Sequence, residues 1–397
     1  MIDIDFVATT RVWESEKPEG DDEEDGQDRR ERRSPDQVLE TFAPIITEPL
    51  SLETASTILY RMLMWHLDAR GFAKEFDAII DQMINASMGI YRLLIDCPVM
   101  AAYPPTSGCR WNLRDLMRCI HGLLLSVPET IEDVGAMKRL WLHEACRAYG
   151  DPLSNLEPTL LVTQYVEQSC ETHFQATVND LFAQMDMVEL ADLADMSIHT
   201  IFFCDFSDPK SESRSYVEVM DMEHLTRVVN GYVTEYNNMN KRPMHYITIF
   251  RHLMRTMTKA SRVLKQPSGH LILVGPKGVG RHTLARLAGH ASDCTVHQYE
   301  TGASGCGWNA ADWTDALKSA LIAAADDDKR SIFICSDVEF QRPECKSLIN
   351  HIVSHGDLMY LFDAKERNEI VEQMRAIDLQ KEKTLQVIYA MQIVPLN

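Results

Sequence analysis

Apolar residues recur at helical spacing through the first part of the chain. In "SLETASTILYRMLMWHLDARG", Ile58, Leu59, Met62, Leu63 and Leu67 share a face, and Gly71 ends the pattern. The spacing predicts a second helix through "EFDAIIDQMINASMGIYRLLI". "YPPTSGCR" interrupts the chain, and Asn112 then stands where it caps a third helix, "LRDLMRCIHGLLLS". Thr130 and Asp133, just after Pro128, offer an acidic variant of the capping box for a fourth, "IEDVGAMKRLWLHEACRAYG". Residues 37–150 read as a small all-α bundle with no catalytic constellation of its own.

Residues 151–269 are mixed. "TIFFCDF" reads as a short buried strand, Leu225, Val228, Val229, Tyr232, Val233 and Tyr236 stripe one helix, and "MHYITIFRHLMRTMTKASRVL" predicts another. From 270 to 397 the pattern alternates. Strand "LILV" leads into a glycine-rich turn and a helix carrying Leu284, Leu287 and Ala288. Strand "CTVHQYE", helix "WNAADWTDALKSALIAAA", strand "SIFICSD" and helix "PECKSLINHIVSHG" follow. Helix "AKERNEIVEQMRAIDLQ" and a last strand, "LQVIYAMQIV", complete the run. Alternation of this kind predicts an α/β unit with a parallel sheet, whose ligands sit at the carboxyl ends of the strands.

Composition narrows the partners. A formal charge of −20 argues against nucleic acid and against an anionic membrane surface. Part of that acidity is local: residues 1–36 include "EGDDEEDGQDRRERRSPD", a tract with almost nothing to bury, expected to be disordered. No apolar run approaches the roughly 18 residues a membrane span needs. The ten cysteines show no C-x-x-C pair, and "MIDIDFVATTRV" is no signal peptide, so reduced thiols in the cytoplasm are expected.

The chemistry concentrates in "GPKGVGRHT". Gly275 and Gly280 meet the spacing of a phosphate-binding loop, and Gly278 adds backbone freedom. Glycines serve there because backbone amides must close around phosphate oxygens, with a helix N-terminus behind them. The stretch Gly275, Pro276, Lys277, Gly278, Val279, Gly280, Arg281, His282 and Thr283 is therefore the candidate nucleotide site. It departs from the usual ending. Arg281 replaces lysine, keeping the charge as a planar fork. His282 replaces the hydroxyl that ligates Mg²⁺, an ion that prefers oxygen, so any Mg²⁺ is held more weakly. Asp337, at the end of "SIFICSD", is placed to hold a hydrated cation. Val338 follows where a hydrolysing site keeps a glutamate base, and Glu339 is expected to point away. Catalytic residues are thus not expected. His351 and His355, one helical turn apart, lack a third zinc ligand, and "HEACR" lacks the second histidine of a zinc-protease helix. A ligand-free glycine turn is the competing reading of the loop.

Longer stretches carry a resemblance. "WNLRDLMRCIHGLLLSVPETIEDVGAMKRLWLHEACRAYGDPL", "YNNMNKRPMHYITIFRHLMRTMTKASRVLKQPSGHLILVG", "GWNAADWTDALKSAL" and "NHIVSHGDLMYLF" resemble, collinearly, an axonemal-type dynein heavy chain. The resemblance implies the lid of the third AAA+ module followed by most of the large subdomain of the fourth, a P-loop fold with an incomplete parallel sheet. "GRHTLARLA" is similar to the arginine-bearing fourth-module loops of axonemal dyneins, with histidine where glutamine is usual. By resemblance the cofactor is ATP or ADP at a regulatory site. Arg114 is the lid sensor arginine for a nucleotide in the preceding module. Partners are the remaining heavy-chain modules and dynein subunits, with microtubules reached only through parts lying outside this chain. The location is the cytoskeleton of a cilium or flagellum. An inactive scaffold or gene fragment is the alternative. The resemblance also places "LQVIYAMQIV" fourth among the strands, which would leave "LILV" with an unpaired edge and the protein prone to self-association.

Overall fold

The computed structural model describes residues 50–102, 111–153, 155–183, 202–209, 214–240, 243–244, 247–266, 269–299, 308–326, 330–355 and 361–381. The charged segment 1–36, the "YPPTSGCR" break and the expected last strand at 385–394 lie outside them.

Helix α1 (Leu52–Arg70) begins where the Ser51 hydroxyl accepts the Thr54 amide and ends at Gly71, whose φ of 79° lets its amide turn back to the Leu67 and Asp68 carbonyls. A 3₁₀ turn, Lys74–Phe76, leads into α2 (Asp77–Asp96), followed by α3 (Pro98–Ala102) and α4 (Leu113–Leu123). Asn112 caps α4 reciprocally: its Oδ1 accepts the Arg114 amide at 2.9 Å while the Asp115 carboxylate takes the Asn112 amide at 3.1 Å. Helix α5 (Val134–Ala145) starts later than Thr130 implied. Its cap is Asp133, and the Thr130 hydroxyl instead donates to the Val127 carbonyl, because the residues after Pro128 make a turn. Helix α5 runs on into a π-helical turn, Cys146–Gly150.

The bundle core does not stop at residue 150. Helices α6 (Leu156–Phe174) and α7 (Val178–Ala183) deliver Val162, Val166, Phe174 and Leu181 to the same core as Ile80, Met83, Leu140 and Trp141. Two-residue strands β1 (Phe203–Cys204) and β2 (Val217–Glu218) then pair antiparallel. Neighbouring strand residues face opposite ways. Accordingly Phe203 joins the bundle core, while Cys204 joins a second core with α8 (Met222–Met239), α9 (Arg251–Lys265) and α10 (Arg281–Ala291). Helix α9 begins seven residues after Met244, because β-branched Ile247, Thr248 and Ile249 favour the extended backbone in which Phe250 also sits (φ −139°, ψ 161°).

The third part alternates as expected: β3 (Thr295–Gln298), α11 (Ala310–Asp326), β4 (Ser331–Ile334), α12 (Asp337–Phe340), α13 (Pro343–His355) and α14 (Ala364–Lys381). Strands β3 and β4 are parallel, Thr295 opposite Ser331 and Gln298 opposite Ile334. The expected strand at 271–274 joins neither described sheet. Its period of two survives, with Leu271 and Leu273 packed on the second core and Ile272 and Val274 77% and 70% exposed. Alternation requires only extended backbone; a ladder requires a strand alongside, and none of the described strands supplies it.

Candidate nucleotide-binding site

The loop from Gly275 to Gly280 joins this extended segment to α10. Gly278 (φ 90°) and Gly280 (φ 79°) both lie in the left-handed region, and Gly280 is the N-cap of α10. A side chain at either would be strained, so the turn depends on glycine at both positions. The turn is also tight: a Cβ at Gly275 would lie 3.3 Å from Val279 Cγ2. Pro276, Lys277, Gly278, Val279 and Gly280 are all exposed. The first amides of α10, at Arg281, His282 and Thr283, lack partners within the helix and carry the positive end of its dipole. An exposed loop ending in such amides fits a phosphate group.

Folding brings Arg281 and Asp337 together. Arg281 Nη2 donates to Asp337 Oδ2 at 3.1 Å and Nη1 to Oδ1 at 3.4 Å, with side chains 23% and 63% exposed. An ion pair this accessible contributes about 1 kcal/mol or less, so it does not lock the loop. His282 is exposed and Thr283 half-buried. After β4 the backbone does not continue as a strand. Ser336 caps α12, and the Glu339 carboxylate accepts the Ser336 amide at 2.7 Å. Glu339 is therefore buried and engaged in capping, while Val338 is exposed beside Asp337. Glu339, expected to point away as a strand residue, is instead held by the helix cap at Ser336.

Arg114 sits on the exposed first turn of α4, and among the described residues no hydrogen bond or ion pair joins it to residues 275–283. Among those residues no three His, Cys, Asp or Glu side chains converge as a metal site. The eight described cysteines are free thiols, and no described helix is long and apolar enough to cross a membrane.

Two family profiles match the chain: the P-loop containing dynein motor region D4 over residues 245–394, and the AAA+ lid domain over residues 99–185. Human dynein axonemal heavy chain 3 is 30% identical over 78% of the chain. Mouse dynein axonemal heavy chain 1 is 26% identical over 76%, and human dynein axonemal heavy chain 12 is 29% identical over 68%. The chain belongs to the dynein heavy-chain family. It spans 7% of the length of the first two of these relatives and 8% of the third. Within this dynein segment the lid profile reaches α7, in keeping with a bundle core that continues past residue 150. The D4 profile takes in α9, the glycine loop and Asp337.

Sequence reasoning passed over the residues that join these two parts. Glu144 on α5 is fully buried, and Arg262 on α9 donates to its Oε2 from Nε at 2.7 Å and again from Nη2. Tyr216 donates its hydroxyl proton to Glu144 Oε1 at 3.0 Å and lies 3.1 Å from His143 Nε2. Burial and the neighbouring Glu144 charge push the Tyr216 hydroxyl well above its usual range. Nearby, Arg139 grips Glu218 through Nε and Nη2, and Lys259 meets Asp151 at 2.7 Å. A signal was available. Glu144 falls at helical spacing with Leu140, Trp141 and Ala148, an acid on an apolar stripe that demands a buried cation.

Proposed function

We propose that this dynein segment contributes a nucleotide-binding, non-hydrolysing regulatory site to a microtubule motor, working within a ring built with the other heavy-chain modules. ATP or ADP occupies the loop Gly275–Gly280 and the first turn of α10, its phosphates held by the amides, Lys277 and Arg281. The observation that carries this reading is the meeting of Arg281 and Asp337 at an exposed helix N-terminus beside Val338. The loop amides, Lys277 and Arg281 support phosphate binding, and Val338 in the position after Asp337 supports the lack of turnover, since loss of a general base costs about 10²–10⁴ in rate. Arg114 serves a nucleotide of the preceding module. Microtubules are engaged by other parts of the motor, and the similarity to axonemal heavy chains supports a part in ciliary or flagellar movement.

The test is a titration of the full chain with a fluorescent adenine nucleotide, paired with a steady-state ATPase assay. Saturable binding that Arg281→Ala abolishes is expected, with turnover no greater than that of Asp337→Ala. Absence of binding would leave the loop as a structural turn in a scaffold. Turnover above the Asp337→Ala control would refute a non-hydrolysing site.

A further inference from the structure

A phosphate loop of this type ordinarily works with Mg²⁺, held by a hydroxyl at the head of the helix and by the acid at the end of the neighbouring strand. The donor set here does not fit that ion. His282 offers imidazole nitrogen where the hydroxyl belongs, and Mg²⁺ takes oxygen ligands in a strict octahedron. The remaining acid, Asp337, already faces a cation: both its oxygens lie against the Arg281 guanidinium, at 3.1 and 3.4 Å.

We infer that this loop binds nucleotide without a divalent cation, Arg281 bridging Asp337 and the phosphates in the place of Mg²⁺. The inference rests on the nucleotide-binding reading above and concerns what that site requires. Its physical basis is the shape of the guanidinium. Arginine carries five N–H donors in a plane, and the contact with Asp337 engages one on each Nη, leaving Nε–H and the outer donors for phosphate oxygens. Lysine, a compact point charge, would have to choose between the two anions. Without a cation between them, the Asp337 carboxylate and a polyphosphate repel each other. Arginine supplies that cation from the chain itself, and Lys277 and the α10 dipole add to it.

The experiment is a fluorescence titration of the full chain with a mant-ATP probe, once with excess Mg²⁺ and once with EDTA. The two affinities are expected to agree within about threefold, because the bridging charge is carried by the chain. Arg281→Lys is expected to weaken binding in EDTA by about tenfold and to make binding respond to Mg²⁺. Asp337→Asn removes a like charge and is expected to tighten binding in EDTA by about threefold, whereas a metal-holding acid would give weaker binding in Mg²⁺. Arg281 and Asp337 begin helices α10 and α12 with side chains 23% and 63% exposed, and circular dichroism of each variant checks that it folds. Wild-type affinity more than about tenfold higher with Mg²⁺ overturns this inference and leaves the nucleotide site standing. No binding in either condition overturns both.

Discussion

Replacing Glu144 by Gln strands the Arg262 guanidinium in a buried position. Breaking one side of such a pair costs about 3–5 kcal/mol, much of it the desolvation of the remaining charge. Urea denaturation should therefore show Glu144→Gln and Arg262→Met each as strongly destabilising, and a double variant with Leu at 144 and Met at 262 as less so than the sum. Equal, additive losses would mean that the two side chains do not act as a pair. The same carboxylate explains Gly122 on α4, where a Cβ would overlap Glu144 itself. Gly122→Ala should cost about 1–3 kcal/mol through overpacking, and that cost should largely vanish when Glu144 is already alanine. A penalty that persists in the Glu144→Ala background would place the clash elsewhere.

Elements were legible in proportion to how local their causes are. Helices α1, α2, α4, α8 and α11 follow from apolar spacing, with ends marked in the sequence by Gly71 and Asn112. Cap strength is checkable: Asn112→Ala removes one half of the box on α4 and should cost about 1 kcal/mol in thermal or urea unfolding. An unchanged midpoint would show that the bundle, rather than the cap, sets where α4 begins. Features that depend on distant partners were less legible. Strand β2 is two residues long, too short for any period, and exists because β1 lies beside it. The loop glycines and the acid at 337 could be recognised from spacing, but their meeting as an ion pair required the packing of β4 near α10. Glu339 is expected at a strand end pointing to the opposite side, but the chain turns at Ser336 and Glu339 becomes the capping acid of α12.

At the level of the whole molecule, charge and burial set how stability answers to pH. His66 is buried, its Nε2–H donating to the Ser126 carbonyl at 3.1 Å, and burial holds its pKa below the usual 6.5, reinforced by the Arg70 charge. Burial lowers His173 on α6 as well. A depressed folded pKa means that the unfolded chain takes up protons first. Stability is complete above 6.5 and is lost as pH falls through the folded values. The Tm should drop by a few degrees between about pH 7 and pH 5, and His66→Gln should flatten part of that slope. A Tm constant across the range would exclude these histidines as contributors. Exposed Ile272 and Val274 act at the same scale: sedimentation should reveal concentration-dependent association, reduced by Ile272→Thr. A monomer at every concentration would show that this extended segment needs no partner.

The Glu144–Arg262 pair, finally, restricts the paths by which sequences of this kind can change. Loss of either residue alone passes through a chain with an unmatched charge sealed inside, a cost of about 3–5 kcal/mol against a typical margin of about 5–15 kcal/mol. Loss of both together passes through nothing so costly. Across relatives, positions 144 and 262 should therefore be found charged together or apolar together, one within the lid match and one within the D4 match. Drift at either site is then tied to the other across the two matched regions, so that a change in one half of this segment constrains the other.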